Sequence, residues 1–186
     1  PTLGVIVSVK PHQIVDFLLY ARRPGTWLFA ARRQMAVAEI LFDRWATYGP
    51  FSHEPVEERS GCIAAAYFHA GLAIENAAKA NLVHRDPMLI QNDGRIDRKK
   101  LGGKGGHGLV GLCELVLFDI DQKDNQLLQK LQEHVVWLGK YVTPMDASPL
   151  YDEALMDIIR NSSADEQARL RSLFKRLVTT VPGESK

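Results

Sequence analysis

The sequence lacks the features that mark several common classes of protein. It contains only two cysteines, Cys62 and Cys113, which lie far apart. Neither a Cys-x-x-Cys zinc site nor a disulfide framework is therefore expected, and two buried free thiols are the simplest interpretation. The apolar stretch at residues 3–7 is too short to cross a bilayer and lacks the basic start of a signal peptide. We expect an intracellular, cytoplasmic protein that has no membrane partner.

Excess charge of either sign is also missing. The 23 basic and 22 acidic residues give a formal net charge of +1, which predicts neither steering toward nucleic acid nor repulsion from it. Locally the balance differs, because residues 95–104 carry five basic groups. An apolar share of 46% and a charged share of 24% are typical of a soluble globular domain with a sizeable core.

The known signatures of metal and nucleophile sites do not occur. The chain has no His-Glu-x-x-His, no carboxylate cluster with ligand spacing and no Gly-x-Ser-x-Gly. The glycine-rich residues 102–107 lack the Lys-Ser/Thr ending and the preceding strand of a phosphate-binding P-loop. No metal or cofactor is expected, and a small-molecule enzyme has no supporting motif.

Helical spacing of apolar residues dominates what is present, and it predicts an all-α fold. Thr26 and Ser163 are predicted N-caps, and Asp121 or Asp124 is predicted to cap another helix. Residues 3–9 alone favour a short strand. We divide the chain into an N-terminal segment (1–25), a helical bundle (26–145) and a C-terminal helical extension (146–186). The predicted helices span residues 12–23, 26–48, 52–83, 108–120, 121–141, 146–161 and 163–181.

Polar residues occur on stripes of these helices where apolar residues are expected. Glu75 and Lys79 share a stripe with Phe68 and Leu72, and His134 lies on the stripe of the helix that ends near Tyr141. Because burying a charge alone is costly, these groups need partners. A polar cluster inside the bundle is therefore expected.

Three segments, taken in order, resemble a known family. Residues 70–79 read Ala-Gly-Leu-Ala-Ile-Glu-Asn-Ala-Ala-Lys, residues 106–109 read Gly-His-Gly-Leu, and residues 137–144 read Trp-Leu-Gly-Lys-Tyr-Val-Thr-Pro. The order resembles the HEPN-like helical-bundle proteins of bacteria, in the largely uncharacterised branch that has Gly-His-Asp-Leu and Trp-x-Gly-Arg-Tyr-Pro patterns. The match covers residues 27–145.

The resemblance implies an up-and-down bundle of four to five main helices, frequently dimeric, with additional C-terminal helices in this chain. Relatives include RNA-cleaving toxins, antiphage effectors and nucleotide-binding accessory domains. This sequence departs from the pattern at Lys140, where the family has Arg, and at Gly108, where it has Asp. It also lacks the Arg with a His five to seven residues later that the ribonuclease members carry. These departures weigh against RNA cleavage.

The favoured hypothesis is a domain that binds RNA or a nucleotide and that would suit a toxin or antiphage system. Lys79, His107, Lys140 and Tyr141 would contact phosphate, and Glu75 would orient Lys79. If the protein is an enzyme, His107 would act as general acid or base of a metal-independent endoribonuclease.

Each of these residues also has a purely structural interpretation. Glu75 and Lys79 can form a helix-stabilising ion pair, His107 can cap a helix, and Lys140 can favour a helix dipole. His134 is most simply a satisfied core histidine. The alternative function is thus a non-catalytic helical interaction or dimerisation module. Salt distinguishes the two, because RNA binding weakens steeply as salt rises whereas a helical dimer does not.

Overall fold

A computed structural model describes residues 11–48, 56–93, 97, 108–117, 119–138 and 163–181. These residues form an all-α helical bundle, as the sequence predicts, and no strand occurs among them. The predicted strand at residues 3–9 and the predicted helix at 146–161 lie outside the described residues. The helices are α1 (Pro11–Ala21), α2 (Pro24–Ala46), α3 (Val56–Arg85), α4 (Leu109–Val116), α5 (Gln122–Glu133) and α6 (Ala164–Thr179). A short 3₁₀ turn (Pro87–Leu89) follows α3, and a π-helical segment (His134–Leu138) continues α5.

Helix α3 is the centre of the bundle and packs against α2, α4, α5, the π segment and α6. Its sequence alternates large anchors with small residues, so neighbouring helices approach it on several sides. Tyr67 and Ile74 are fully buried, and the ring of Tyr67 meets Phe42 of α2 edge-on at 5.3 Å between centroids. The small residues of α3 in the same core are Ala66, Ala70, Ala73, Ala77 and Ala78.

Helix α2 begins two residues earlier than predicted. Arg23 is the N-cap residue and Pro24 occupies the first helical turn, so Thr26 is not the cap. Proline suits that position because its fixed φ is helical and its missing N–H has no intrahelical acceptor there. The preference of Thr26 for the N-cap position therefore does not decide the start of α2, because Pro24 begins the helix before it.

Helix α4 ends at Val116, although the apolar pattern predicted a continuation to about residue 120. Leu117 is already extended, with φ −108° and ψ 135°. The guanidinium of Arg85, in the last turn of α3, donates to the carbonyl oxygens of Leu115 at 2.8 Å and Val116 at 3.0 Å. These contacts satisfy carbonyls that a helix end leaves without intrahelical partners.

The caps of α5 and α6 agree with the sequence. Asp121, one of the two residues predicted to cap α5, accepts from the backbone N–H of Asp124 at 2.7 Å. Ser163 accepts from the backbone N–H of Glu166 at 3.1 Å and so caps α6. Helix α5 then continues into the π segment, which no sequence signal predicted.

Helix α6 packs into the same core as the other helices through Leu170, Leu173 and Leu177. A buried amide fixes where it lies on α3. The side-chain nitrogen of Asn81 donates to the carbonyl oxygen of Ala77 on its own helix at 2.9 Å, and to that of Leu177 on α6 at 2.8 Å. Both bonds are buried, so each is costly to lose.

Gly71 marks the closest approach of α3 to α5. A Cβ atom built there meets Cγ2 of Val135 and lies 3.0 Å from the backbone oxygen of Leu131. Glycine in the middle of a helix is destabilising by up to about 1 kcal/mol relative to alanine. The close contact between the two helices offsets that cost.

We expect Gly71→Ala to lower the free energy of unfolding by about 1–3 kcal/mol, because the new methyl group overpacks the α3–α5 contact. Gly61→Ala is the matched control on the same helix, since a Cβ atom built at Gly61 has nothing within 4 Å. It should stabilise the protein by about 0.5–1 kcal/mol through helix propensity. Urea denaturation followed by circular dichroism measures both. Equal effects of the two variants would contradict the close approach.

Candidate functional site

Glu75 and Lys79 form an ion pair on α3 that is largely removed from solvent. Their side chains are 6% and 14% exposed, and the Lys79 amine contacts the Glu75 carboxylate directly. The partial burial expected from the apolar stripe is confirmed. The amine also lies 5.9 Å from the centre of the Trp27 ring of α2. The indole N–H of Trp27 donates to the carbonyl oxygen of Ala21 at 2.7 Å, which fixes the ring.

The three other predicted site residues, His107, Lys140 and Tyr141, lie outside the described residues. Their described neighbours along the chain do meet. The backbone N–H of Leu109, the first residue of α4, donates to Oε1 of Gln132 on α5 at 3.0 Å. The start of α4, which follows the glycine-rich sequence, is thus held against α5, the helix that precedes residues 139–141.

Helix α3 contacts both of these elements as well. It packs against α4 and against the π segment, while α4 packs against α5. The three elements that carry or adjoin the sequence motifs are therefore mutual neighbours in the bundle.

A second polar cluster was not predicted. The amine of Lys130 on α5 lies 2.8 Å from Oε1 of Glu166 on α6 and 4.1 Å from the centre of the Tyr67 ring on α3. The hydroxyl of Tyr67 donates to Oε2 of the same carboxylate at 3.0 Å. One carboxylate thereby joins three helices.

Lys130 and Glu166 gave no signal that sequence reasoning could use. Lys130 is a charged residue in an amphipathic helix, where exposure is the usual expectation, and Glu166 fits a capping box that accounts for it without a tertiary partner. Their burial depends on how α6 packs across α5, which periodicity does not specify. Only the spacing of Lys130 and His134 by four residues could have placed both on one face.

His134 is fully buried beside this cluster, with its ring 5.1 Å from that of Tyr67. Its Nδ1 donates to the carbonyl oxygen of Lys130 at 2.9 Å, and this bond identifies Nδ1 as the protonated nitrogen. Nε2 is buried and has no hydrogen-bond partner among the described residues. The prediction of a core histidine is confirmed, but only one of its two nitrogens is satisfied. Burial lowers the pKa of His134 to about 4.

Ion pairs also join α5 to α6 beyond this cluster. Asp124 is 4% exposed and lies between Arg169, whose Nη1 is 2.8 Å from Oδ1, and Arg176, whose Nη2 contacts Oδ2. Arg169 also pairs with Asp121 at 2.8 Å, and both the backbone N–H of Asp124 and this arginine lower the pKa of the Asp121 carboxyl. The acidic start of α5 is thus neutralised by α6.

A groove of about 810 Å³ runs between α5 and the first turns of α6. Its walls carry lysine and arginine together with glutamate and aspartate, so it has no strong net charge. The lining residues are Lys123, Gln126, Leu127, Gln129, Lys130, Gln132, Glu133, Ser163, Asp165, Glu166 and Arg169.

Metal and thiol chemistry find little support in the described part of the chain. No group of three or more metal-ligating side chains occurs among those residues. Cys113 is a buried free thiol, and burial raises its pKa to about 12. Cys62 is free but only partly buried, which corrects the expectation that both thiols lie in the core. None of the described helices has both the length and the apolar character needed to cross a membrane.

The depressed pKa of His134 predicts acid-sensitive stability. Below about pH 6.5 the unfolded chain gains a proton that the folded protein excludes until about pH 4, so stability falls as the pH falls through this window. We expect His134 to account for a loss of about 2 kcal/mol between about pH 7.5 and pH 5. Urea denaturation at both pH values should show a smaller loss for His134→Gln and an unchanged one for His84→Gln, which alters an exposed histidine of α3. The same loss in all three proteins would exclude His134 as the cause.

Comparison of the chain with models of protein families, with curated proteins and with solved structures found no significant match. The resemblance to HEPN-like proteins therefore stays a prediction from the motifs within residues 27–145. The structure itself establishes an all-α helical bundle.

Proposed function

We propose that this chain is a HEPN-like helical-bundle domain that binds RNA or a nucleotide. The observation that carries the proposal is the placement of Lys79. Its amine is mostly enclosed, contacts the Glu75 carboxylate and lies over the ring of Trp27. A buried ion pair contributes little net stability, because the desolvation of both ions offsets their attraction. A ligand that binds the Lys79 amine would account for this placement.

The geometry suits the two chemical parts of a nucleotide. An ammonium group binds phosphate as a point charge, and Glu75 restricts where that charge sits. An aromatic ring such as that of Trp27 can stack on a base without reading its identity. Lys79 and Trp27 lie together on the facing helices α3 and α2, so one nucleotide could contact both.

His107, Lys140 and Tyr141 would complete the phosphate contacts in this proposal. The hydrogen bond between Leu109 and Gln132 and the packing of α3 on the π segment support it, because they bring the flanks of all three motifs together. If RNA is cleaved, His107 serves as the general acid or base without a metal. Such an activity would suit a toxin or antiphage system.

Binding of a fluorescent mixed-sequence RNA, and separately of a labelled nucleotide, tests the proposal. The double variant Glu75→Gln/Lys79→Gln removes both charges of this pair together. We expect it to bind RNA about tenfold more weakly, with a salt dependence reduced by about one phosphate contact. Lys175→Gln, which alters an exposed lysine on α6, is the control. The same RNA, end-labelled and free of metal, reports cleavage, which His107→Ala should abolish.

Unchanged affinity of the double variant, with its helical circular dichroism intact, would remove Lys79 from any binding site. Binding that is insensitive to salt would contradict phosphate recognition altogether. Intact RNA with the wild type would leave a binding role and eliminate cleavage.

A specific observation also favours the second candidate, a self-associating interaction module. The outward face of α2 carries Phe29, Val37 and Ile40, which are 62%, 39% and 67% exposed. Helix α1 exposes further large apolar side chains, and contiguous apolar patches on a protein surface often mark interfaces. The α2 face is basic at Arg33 and acidic at Asp43, so two copies in antiparallel register would pair opposite charges about a two-fold axis.

Ile40→Glu places a charge in the middle of this face and should convert a dimer to a monomer in analytical ultracentrifugation. Leu115→Glu is the control, because Leu115 is an exposed apolar residue on α4, outside the α2 face. A wild type that is monomeric at about 100 μM, or a dimer that survives Ile40→Glu, would contradict self-association through α2.

A further inference from the structure

Lys130 is buried and yet lines the groove between α5 and α6, whereas the other described lysine of that groove is exposed. Its side chain is 5% exposed, yet it lines the groove of about 810 Å³. Lys123, seven residues earlier on the same helix, lines the same groove but is exposed to solvent. Both lysines therefore line the same groove, but Lys130 is buried and Lys123 is exposed to solvent.

The contacts of Lys130 place a proton acceptor and a proton donor beside its amine. Nζ lies 2.8 Å from Oε1 and 3.1 Å from Oε2 of Glu166. The hydroxyl of Tyr67 donates to Oε2 at 3.0 Å, and the ring of Tyr67 lies under the amine at 4.1 Å. The carboxylate thus links an amine to a phenol inside the protein.

We propose that the groove between α5 and α6 is a carbonyl-binding site in which the Lys130 amine forms an imine with a small aldehyde. This goes beyond the proposed function, because RNA or nucleotide binding assigns no role to Lys130, Glu166 or the groove. The substrate class follows from the chemistry. A neutral amine attacks an uncharged carbonyl carbon, and the mixed charge of the lining favours neither a strongly anionic nor a strongly cationic ligand.

The step balances with groups that are present. Glu166 accepts a proton from the ammonium of Lys130, and the freed amine attacks the aldehyde carbon, so that a C–N bond forms as the π bond of the carbonyl breaks, and the oxygen takes the proton that the attacking nitrogen loses. Loss of that oxygen as water, with the proton returned by Glu166, breaks the C–O bond and leaves the protonated imine. The overall change is ammonium plus aldehyde to protonated imine plus water, without an oxidant or a reductant.

Burial supports the assignment by lowering the pKa of Lys130, while the nearby Glu166 opposes that shift. The amine contacts Glu166 of α6, and Glu133 and Arg169 line the same groove, while the ring of Tyr67 lies against the amine and the neutral His134 is one turn farther along, in the π segment. A larger neutral fraction near pH 7 makes an amine more nucleophilic toward carbonyl groups.

The test traps the imine on the wild-type protein. Propionaldehyde is the probe, cyanoborohydride reduces any imine to a stable secondary amine, and peptide mass spectrometry locates it. At about pH 7 we expect Lys130 to be modified faster than Lys123, because burial lowers the pKa of Lys130 and so raises the neutral fraction of its amine. Exposure alone predicts the opposite order.

Two variants keep the test independent of folding. Lys130→Arg retains the charge and should eliminate the fast modification while that of Lys123 continues. Glu166→Gln removes both the proton acceptor and the negative charge that stabilises the ammonium, so it should change the rate of modification of Lys130 and leave that of Lys123 unaltered. Labelling that follows exposure, with Lys130 slower than Lys123 in the wild type, would overturn the proposal. These results are separate from the RNA assay, which uses different residues.

Discussion

The contact between α3 and α5 at Gly71 is the constraint on which the described core depends. Because that residue has no side chain, the backbone of α5 at Leu131 lies against α3. The same approach brings Tyr67 within reach of both Lys130 and His134, one turn of helix away from the glycine. A larger residue at this point would separate the helices and with them the polar cluster. The close packing of α3 against α5 and the position of the buried Lys130 thus both depend on Gly71.

The buried polar groups act mainly between helices that are distant in sequence. Glu166 joins Tyr67 to Lys130, and Asp124 joins two arginines of α6. Such contacts contribute modest net stability, because removing ions from water costs about as much as their attraction returns. They restrict which arrangement of the apolar faces is acceptable, since any other would leave a charge buried without a partner.

The described helices were largely predictable, because their apolar residues recur with helical spacing and two of their caps have strong local signals. Asp121 and Ser163 act within their own first turns, so the sequence contains all the information that positions them. The prediction of Thr26 as a cap was wrong because Pro24 starts the helix earlier. The predicted end of α4 was wrong because its stop is provided by Arg85, which is distant in sequence.

The candidate site was likewise only partly predictable from the sequence. Burial of Glu75 and Lys79 followed from their place on an apolar stripe, which is local information. The contacts of Lys130, Glu166 and Tyr67 did not, because three helices must pack before they exist. The position of the Trp27 ring beside Lys79 also depends on how α2 crosses α3, which the sequence does not specify.

The side-chain amide of Asn81 restricts the ways in which α6 can pack on α3. The leucines of α6 recur at intervals of three and four, so sliding the helix by one turn would present a nearly equivalent apolar surface to α3. The bond from Asn81 to the carbonyl oxygen of Leu177 distinguishes these registers, because that carbonyl lies in the last turn of α6, where intrahelical donors run out, and a shift of the helix takes it away from the amide. A leucine at position 81 would preserve the apolar contact and lose the distinction. One amide thus selects a single alignment from a set that hydrophobic burial alone leaves degenerate.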